Sequence, residues 1–137
     1  DVVAALEVLN SMPNENVFIK GNRSGRPIFD TLFTFGMSIF ESLLFRTRLW
    51  DINAQPTIFS RNLLKEFVNA PDDFSLDLFA YLTAKNRGYS VQRIPVYFYK
   101  RVHGVSSWNV GWRSRIKFIK RTLNFSFELR NQVNADH

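Results

Sequence analysis

Three groups of residues in this chain have types and spacings suited to chemistry. The first is Asp77, set in a run where Leu76, Phe79, Ala80, Thr83 and Ala84 recur at helical spacing, with Leu78 and Leu82 widening the stripe. A carboxylate near a helix N-terminus either serves a proton-transfer or positioning task or simply complements the helix dipole. The second is the polar loop that carries Arg101, His103, Gly104, Ser106, Ser107 and Trp108, where a guanidinium fork, two hydroxyls and an approachable backbone stand within eight residues. The third is the cationic stretch at residues 20–27, with Lys20, Gly21, Arg23, Gly25 and Arg26. Backbone donors and side-chain charges there could converge on a phosphate, or the stretch is a solvated hairpin or linker. The two histidines, His103 and His137, have no third ligand at metal-site spacing, so no metal site is expected in this chain.

The elements around these residues follow from local pattern. Asp72, Asp73 and Ser75 give start signals for the helix that holds Asp77. Lys85 and Arg87 suit its other end, and Gly88 can take the left-handed conformation that stops it. Val91, Ile94, Val96 and Phe98 then predict a strand whose alternation slips near residues 92–93, and Pro95 makes it an edge strand or bulged. Earlier in the chain, Val2, Ala5, Leu6 and Leu9 predict a short amphipathic helix, residues 11–16 a turn, and residues 17–19 a short strand leading into the cationic loop. Residues 27–50 form the largest hydrophobic block, in which Ile28, Phe29, Leu32, Phe33, Phe35, Ile39, Phe40, Leu43, Leu44 and Leu49 cover most of a helix circumference. Such a helix is either deeply buried or lies against lipid or a partner, and Gly36 and Ser38 mark a kink or break. Residues 51–61 turn polar, with Asp51, Asn53 and Gln55, and residues 62–67 predict a short helix. Residues 111–130 read as a basic amphipathic helix, with Trp112, Ile116, Ile119, Leu123 and Phe127 flanked by Arg113, Arg115, Lys117, Lys120 and Arg121. That pattern fits either a helix lying in a membrane interface or one docked on a core with a solvated basic face.

Composition narrows the class. The chain has 137 residues, enough for one cored domain, and 45% hydrophobic residues exclude a disordered chain. Fourteen Phe imply a greasy surface somewhere, and a net charge of +6 favours an anionic partner. Without cysteine there is no disulfide and no thiolate metal site. The greasiest stretch, residues 31–40, is bracketed by Asp30 and Glu41 and is shorter than the ~20 apolar residues of a membrane span.

Asp77, then Ala84 with Gly88-Tyr89, then Ile94-Pro95-Val96, then Arg101, Gly104, Ser106, Ser107 and Trp108 form an ordered set on a helix, a turn, a strand and a loop. In that order it resembles the C-terminal half of a family 2 glycosyltransferase catalytic domain, of the type that uses polyprenyl or dolichyl phosphate as sugar acceptor. The Gly21–Arg23 pair resembles that family's G-x-R loop, and the segment from Asp51 to Arg61 its acceptor-side segment.

The resemblance implies an α/β fold: a partial GT-A nucleotide-sugar transferase fold in residues 1–110, without the N-terminal donor-binding half, followed by the basic helix and tail in residues 111–137. It implies an inverting enzyme that moves a sugar from a nucleotide-sugar donor to a lipid phosphate or another membrane-side glycan acceptor. Asp77 would be the catalytic carboxylate, or a positioning group where the acceptor is already an anion. Arg101, His103, Ser106, Ser107 and Arg23 would hold the donor diphosphate, and Asp51, Gln55 and Trp108 would line the acceptor side. A divalent metal, Mg2+ or Mn2+, would be held by the half that is not in this sequence, since no D-x-D occurs here. A chain lacking that half is expected to be inactive alone, membrane-associated, and on the cytoplasmic face. The competing expectation is a non-catalytic basic module on a membrane surface or nucleic acid. Against nucleic acid, the cations are spread over several loops and no nucleic-acid motif is present.

Overall fold

The computed structural model describes residues 2–11, 16–26, 28–73, 75–97 and 112–135. They form α1 (Val2–Ser11), β1 (Val17–Ser24), α2 (Ile28–Leu44), β2 (Thr57–Phe59), a 3-10 helix (Arg61–Glu66), α3 (Leu76–Asn86), β3 (Ser90–Tyr97) and α4 (Trp112–Ala135). The chain divides into two compact units, Asp1–Phe98 and Tyr99–His137. The first is mixed α/β, built on a three-stranded sheet of order β2-β1-β3.

β1 is the centre of that sheet. It pairs antiparallel with β2, Phe18 opposite Phe59 and Lys20 opposite Thr57. It pairs parallel with β3 over its whole length, from Val17 opposite Ser90 to Ser24 opposite Tyr97. A central strand buries both faces, so both alternating sets of side chains go inward. Val17 and Ile19 join Ile94 and Val96 in one core, with Val8 of α1 and Ile58 packed against it. On the other face Phe18 stacks between Phe59 and Tyr81, at centroid distances of 5.5 and 5.7 Å. Phe59, Phe67 and Phe79 continue that aromatic layer.

Three expectations change here. The strand expected at residues 17–19 runs on to Ser24, so Lys20 and Arg23 belong to a strand rather than a loop. Pairing with β3 satisfies the backbone of this polar segment, which its composition alone would leave in a turn. α2 is continuous, and Gly36 lies on its exposed side with nothing near it, so no break is needed there. In α1 it is Val8 that meets the core, while Leu6 is exposed.

Other elements follow local chemistry. The Asp73 carboxylate accepts the Ser75 N–H at 2.9 Å and so organises the start of α3. α3 ends where Gly88 takes φ +73°. The Tyr89 N–H then reaches the Ala84 carbonyl at 2.9 Å and the Gly88 N–H the Lys85 carbonyl at 3.1 Å, the paired bonds of a Schellman motif. Open space surrounds the Gly88 Cα, so a methyl there meets only the torsional penalty. Gly88→Ala is expected to lower stability by about 1 kcal/mol in urea unfolding, with Gly88→Asn losing less.

β3 is an edge strand among the described residues, and Pro95 sits exposed on it opposite Asn22. In the second unit α4 exposes Arg113, Lys117, Lys120 and Arg121 together with Ile116 and Phe127. No described helix is long and apolar enough to cross a membrane.

Candidate functional site

β1, β3, α3 and the segment ahead of β2 bring four cations and two carboxylates together. Lys20 is fully buried, because its strand position faces α3 rather than solvent. Its Nζ donates to Thr57 Oγ1 at 2.8 Å and to Asp77 Oδ1 at 3.1 Å. The ammonium also stands about 6 Å from two ring faces, 6.0 Å from Phe18 and 5.9 Å from Tyr81. Burial pushes the Lys20 pKa below its ordinary value. The Asp77 carboxylate opposes that shift by charge and hydrogen bond, Arg93 adds to it, and Asp51 opposes it weakly.

Asp77 lies in the first turn of α3 and keeps about a quarter of its side chain in solvent. Besides Lys20 it accepts Thr57 Oγ1 at 3.2 Å and Gln55 Nε2 at 3.1 and 3.0 Å on its two oxygens. Gln55 is oriented in turn by the Thr57 N–H, which donates to its Oε1 at 3.1 Å. The carboxylate is therefore held by donors from three directions. Oδ1 takes Lys20, Thr57 and Gln55, and Oδ2 takes only the Gln55 amide.

The second carboxylate, Asp51, is buried, with φ +42°. The left-handed backbone, which Asp tolerates better than most residues, turns the chain so that its own N–H donates to Ser38 Oγ of α2 at 3.0 Å. Arg23 Nε donates to both Asp51 oxygens at 3.0 Å, and its Nη2 closes a further ion pair with Oδ1. Arg26 stands 4.0 Å from the same carboxylate and donates to Thr34 Oγ1 at 2.8 Å. Burial and the neighbouring Arg23 charge lower the Arg26 pKa, with Asp51 and Asp30 opposing. Arg93 links the two halves. It donates to the Gly21 carbonyl at 2.8 Å, the Tyr81 hydroxyl at 3.1 Å and the Trp50 carbonyl, and lies over the Tyr81 ring at 5.4 Å.

The close approach of β1 to the segment ahead of β2 depends on Gly21. Its N–H donates to the Pro56 carbonyl at 3.0 Å, beside a cis Gln55–Pro56 peptide bond. A Cβ on Gly21 would come within 2.9 Å of the Gln55 carbonyl carbon and nearer still to its oxygen.

Of the residues the sequence singled out, Arg23, Asp51, Gln55 and Asp77 are gathered here. Arg101, His103, Ser106, Ser107 and Trp108 lie outside the described residues. Sequence reasoning did not single out Thr57, Tyr81 or Arg93, and it placed Lys20 only within the cationic stretch at residues 20–27, not beside Asp77. The available signal was a lysine directly after Val17-Phe18-Ile19 and an arginine inside the β3 pattern, charged residues in otherwise apolar strands. Among the described residues no group of three His, Cys, Asp or Glu side chains could hold a metal ion.

Compared with known proteins, the chain matches no family model, no curated protein and no solved structure. The class that fold and site define is a mixed α/β domain with a partly buried, cation-rich polar centre.

Proposed function

We propose that this chain is the acceptor-side part of an inverting, family 2 glycosyltransferase of GT-A type, acting on a lipid phosphate at the cytoplasmic face of a membrane. The observation that carries the reading is the concentration of cations at the centre. Lys20, Arg23, Arg26 and Arg93 gather around Asp51 and Asp77, with Asp30 also acting on Arg26, and together they present several cationic groups to an anion at one place.

The bonding around Asp77 fits a holding role. Three donors converge on Oδ1, while Oδ2 takes only the Gln55 amide and keeps a lone pair open to a group brought to the site. A phosphate oxygen attacks the sugar carbon without losing a proton, so Asp77 is needed there only to hold Lys20, Gln55 and Thr57 in place. The C–O bond to the nucleoside diphosphate breaks as the new C–O bond forms, with inversion, and the charge that develops on the leaving group calls for fixed cations. Arg101, Ser106 and Ser107 are assigned to that leaving diphosphate on the family resemblance. The divalent metal expected for such a transfer finds no ligand cluster among the described residues.

Titration of the chain with a short polyprenyl phosphate, against the corresponding alcohol, tests this. The phosphate is expected to bind and the alcohol not. Arg26→Gln is expected to weaken the phosphate by about tenfold, one charge-assisted hydrogen bond. Equal binding of phosphate and alcohol would falsify the acceptor assignment. A second reading, a non-catalytic basic module on a membrane surface, is favoured by the exposed cations of α4. It expects salt-sensitive vesicle binding with no response to the lipid phosphate.

A further inference from the structure

α2 is amphipathic in the reverse sense. Its inward residues are polar: Thr34 meets Arg26, Ser38 takes the Asp51 N–H, and Ser42 Oγ bonds the Leu49 N–H and carbonyl at 2.9 and 3.0 Å. Its outward stripe is apolar. Ile28, Leu32, Phe35, Ile39 and Leu43 are each between 44% and 76% exposed, and Gly36 has open space where a Cβ would stand. The stripe makes a contiguous patch on the order of 500 Å², well beyond isolated surface leucines. Its residues are also placed symmetrically. From Ile28 through Gly36 to Leu43 the steps are four, three, one, three and four residues, a pattern that is the same in either direction about the peptide between Phe35 and Gly36.

We propose that this face pairs with the same face of a second copy of the chain, as an antiparallel helix pair on a twofold axis. A twofold interface must be self-complementary, because one patch serves both copies. The symmetric stripe meets that condition. Leu32 comes opposite Ile39 of the second copy and Ile28 opposite Leu43, while Phe35 and Gly36 stand on either side of the axis. Without a Cβ, Gly36 lets the two backbones close up where the helices cross. Roughly 1,000 Å² leaves water when both stripes are covered, about the lower bound for a specific interface.

The charges fit this occupant better than lipid. A helix that lies in a headgroup layer carries Lys and Arg along its polar face. α2 contains neither, and its polar side is bonded inside the domain. Its charged residues are Asp30, half-buried in the first turn, and Glu41, buried. Arg46 and Arg48 are exposed just past the helix. Antiparallel pairing brings them to the end of the second helix where Asp30 stands, and that carboxylate offsets the positive end of the helix dipole. In a parallel pair the arginines of both copies would meet one another. Pairing requires neither a lipid phosphate nor a membrane.

Analytical ultracentrifugation of the chain in buffer free of lipid and detergent is the test, with circular dichroism to confirm the fold of each variant. A dimer is expected in the micromolar range, where an interface of this size associates. Leu32→Gln with Ile39→Gln should raise the dissociation constant by at least about a hundredfold, since both side chains lose their burial on each copy. Gly36→Leu should raise it by about tenfold by wedging the helices apart, and it keeps the fold because leucine suits a helix better than glycine. The chain has no cysteine, so an introduced one cross-links at a known place. A mixture of Leu32→Cys and Ile39→Cys chains should oxidise mainly to the mixed disulfide. Leu32→Cys chains that link chiefly to one another would show a parallel pair and overturn the proposal. A monomer throughout that range, or a dimer that the Leu32/Ile39 and Gly36 variants leave intact, would overturn it as well. A monomer that partitions onto phosphatidylcholine vesicles through Leu32 and Ile39 would show that lipid covers the face instead.

Discussion

Gly21→Ala is expected to unfold the sheet of the first unit. At this position β1 runs against the segment ahead of β2 with no room for a methyl group. A Cβ would lie within 2.9 Å of the Gln55 carbonyl carbon, nearer to its oxygen, and 3.2 Å from Val96 Cγ2. The first two are backbone atoms, which cannot turn aside as a side-chain end can. Relief would require the segment to retreat, and that breaks the Gly21 N–H bond to Pro56 and moves Gln55 away from Asp77. Ordinary overpacking costs about 1–3 kcal/mol, and a clash against fixed backbone belongs at or above the top of that range. For a small domain only some 5–15 kcal/mol stable, a loss of about 3 kcal/mol or more takes a large share of the folded population's margin. Urea unfolding with far-UV circular dichroism reads the result. A midpoint unchanged from the parent would show that the two segments do not approach as described.

The second large effect is pH-dependent. Asp77→Ala removes the carboxylate from a lysine that has no exposure to solvent. Breaking a buried pair by deleting one partner costs about 3–5 kcal/mol, and the lower end applies because Asp77 itself is partly wet. The charge that remains on Lys20 is penalised by burial, which already lowers its pKa with Asp77 present and lowers it further without. The sign follows from proton counts. Between the depressed folded pKa and the ordinary 10.5, the unfolded chain binds the Lys20 proton and the folded one does not. Stability therefore rises with pH across that window. Below the folded pKa the penalty is constant and complete, and near pH 10.5 it is gone. Asp77→Ala should be strongly destabilised at neutral pH and recover as the pH approaches 10. Lys20→Met should differ from the parent by only about 1 kcal/mol at neutral pH, since an apolar isostere replaces the buried cation, and Lys20→Met with Asp77→Ala should lie close to Lys20→Met alone. A pH-independent loss in Asp77→Ala would sink the pairing.

These two residues show how legibility was distributed along the chain. Asp77 was singled out because its helix is written locally: an apolar stripe at helical spacing, Asp73 at the start and Gly88 at the stop. β3 was readable for the same reason, and Pro95 correctly marked an edge. Gly21 and Lys20 were read as a loop because Lys20-Gly21-Asn22-Arg23 has turn composition. Only the parallel ladder with β3 makes that segment a strand, and a parallel partner must come from a distant crossover. β2 escaped notice because three residues are too few for any period to show.

α2 divides the two kinds of information most clearly. Its apolar residues and helical spacing determined a helix, though Gly36 and Ser38 pointed to a kink or break where α2 runs on unbroken, and composition alone set the chain's cationic excess. Neither could say which side of the helix turns inward. The polar residues Thr34, Ser38 and Ser42 go in because Arg26, the Asp51 N–H and the Leu49 backbone need partners there, and buried polar groups left unpaired cost more than exposed leucines do. The sequence thus determined the elements, whose causes lie within a turn or two of each residue. The tertiary structure decided the face of α2, the length of β1 and the pairing of Lys20 with Asp77. Each of these depends on groups that only a crossover can bring within hydrogen-bond reach.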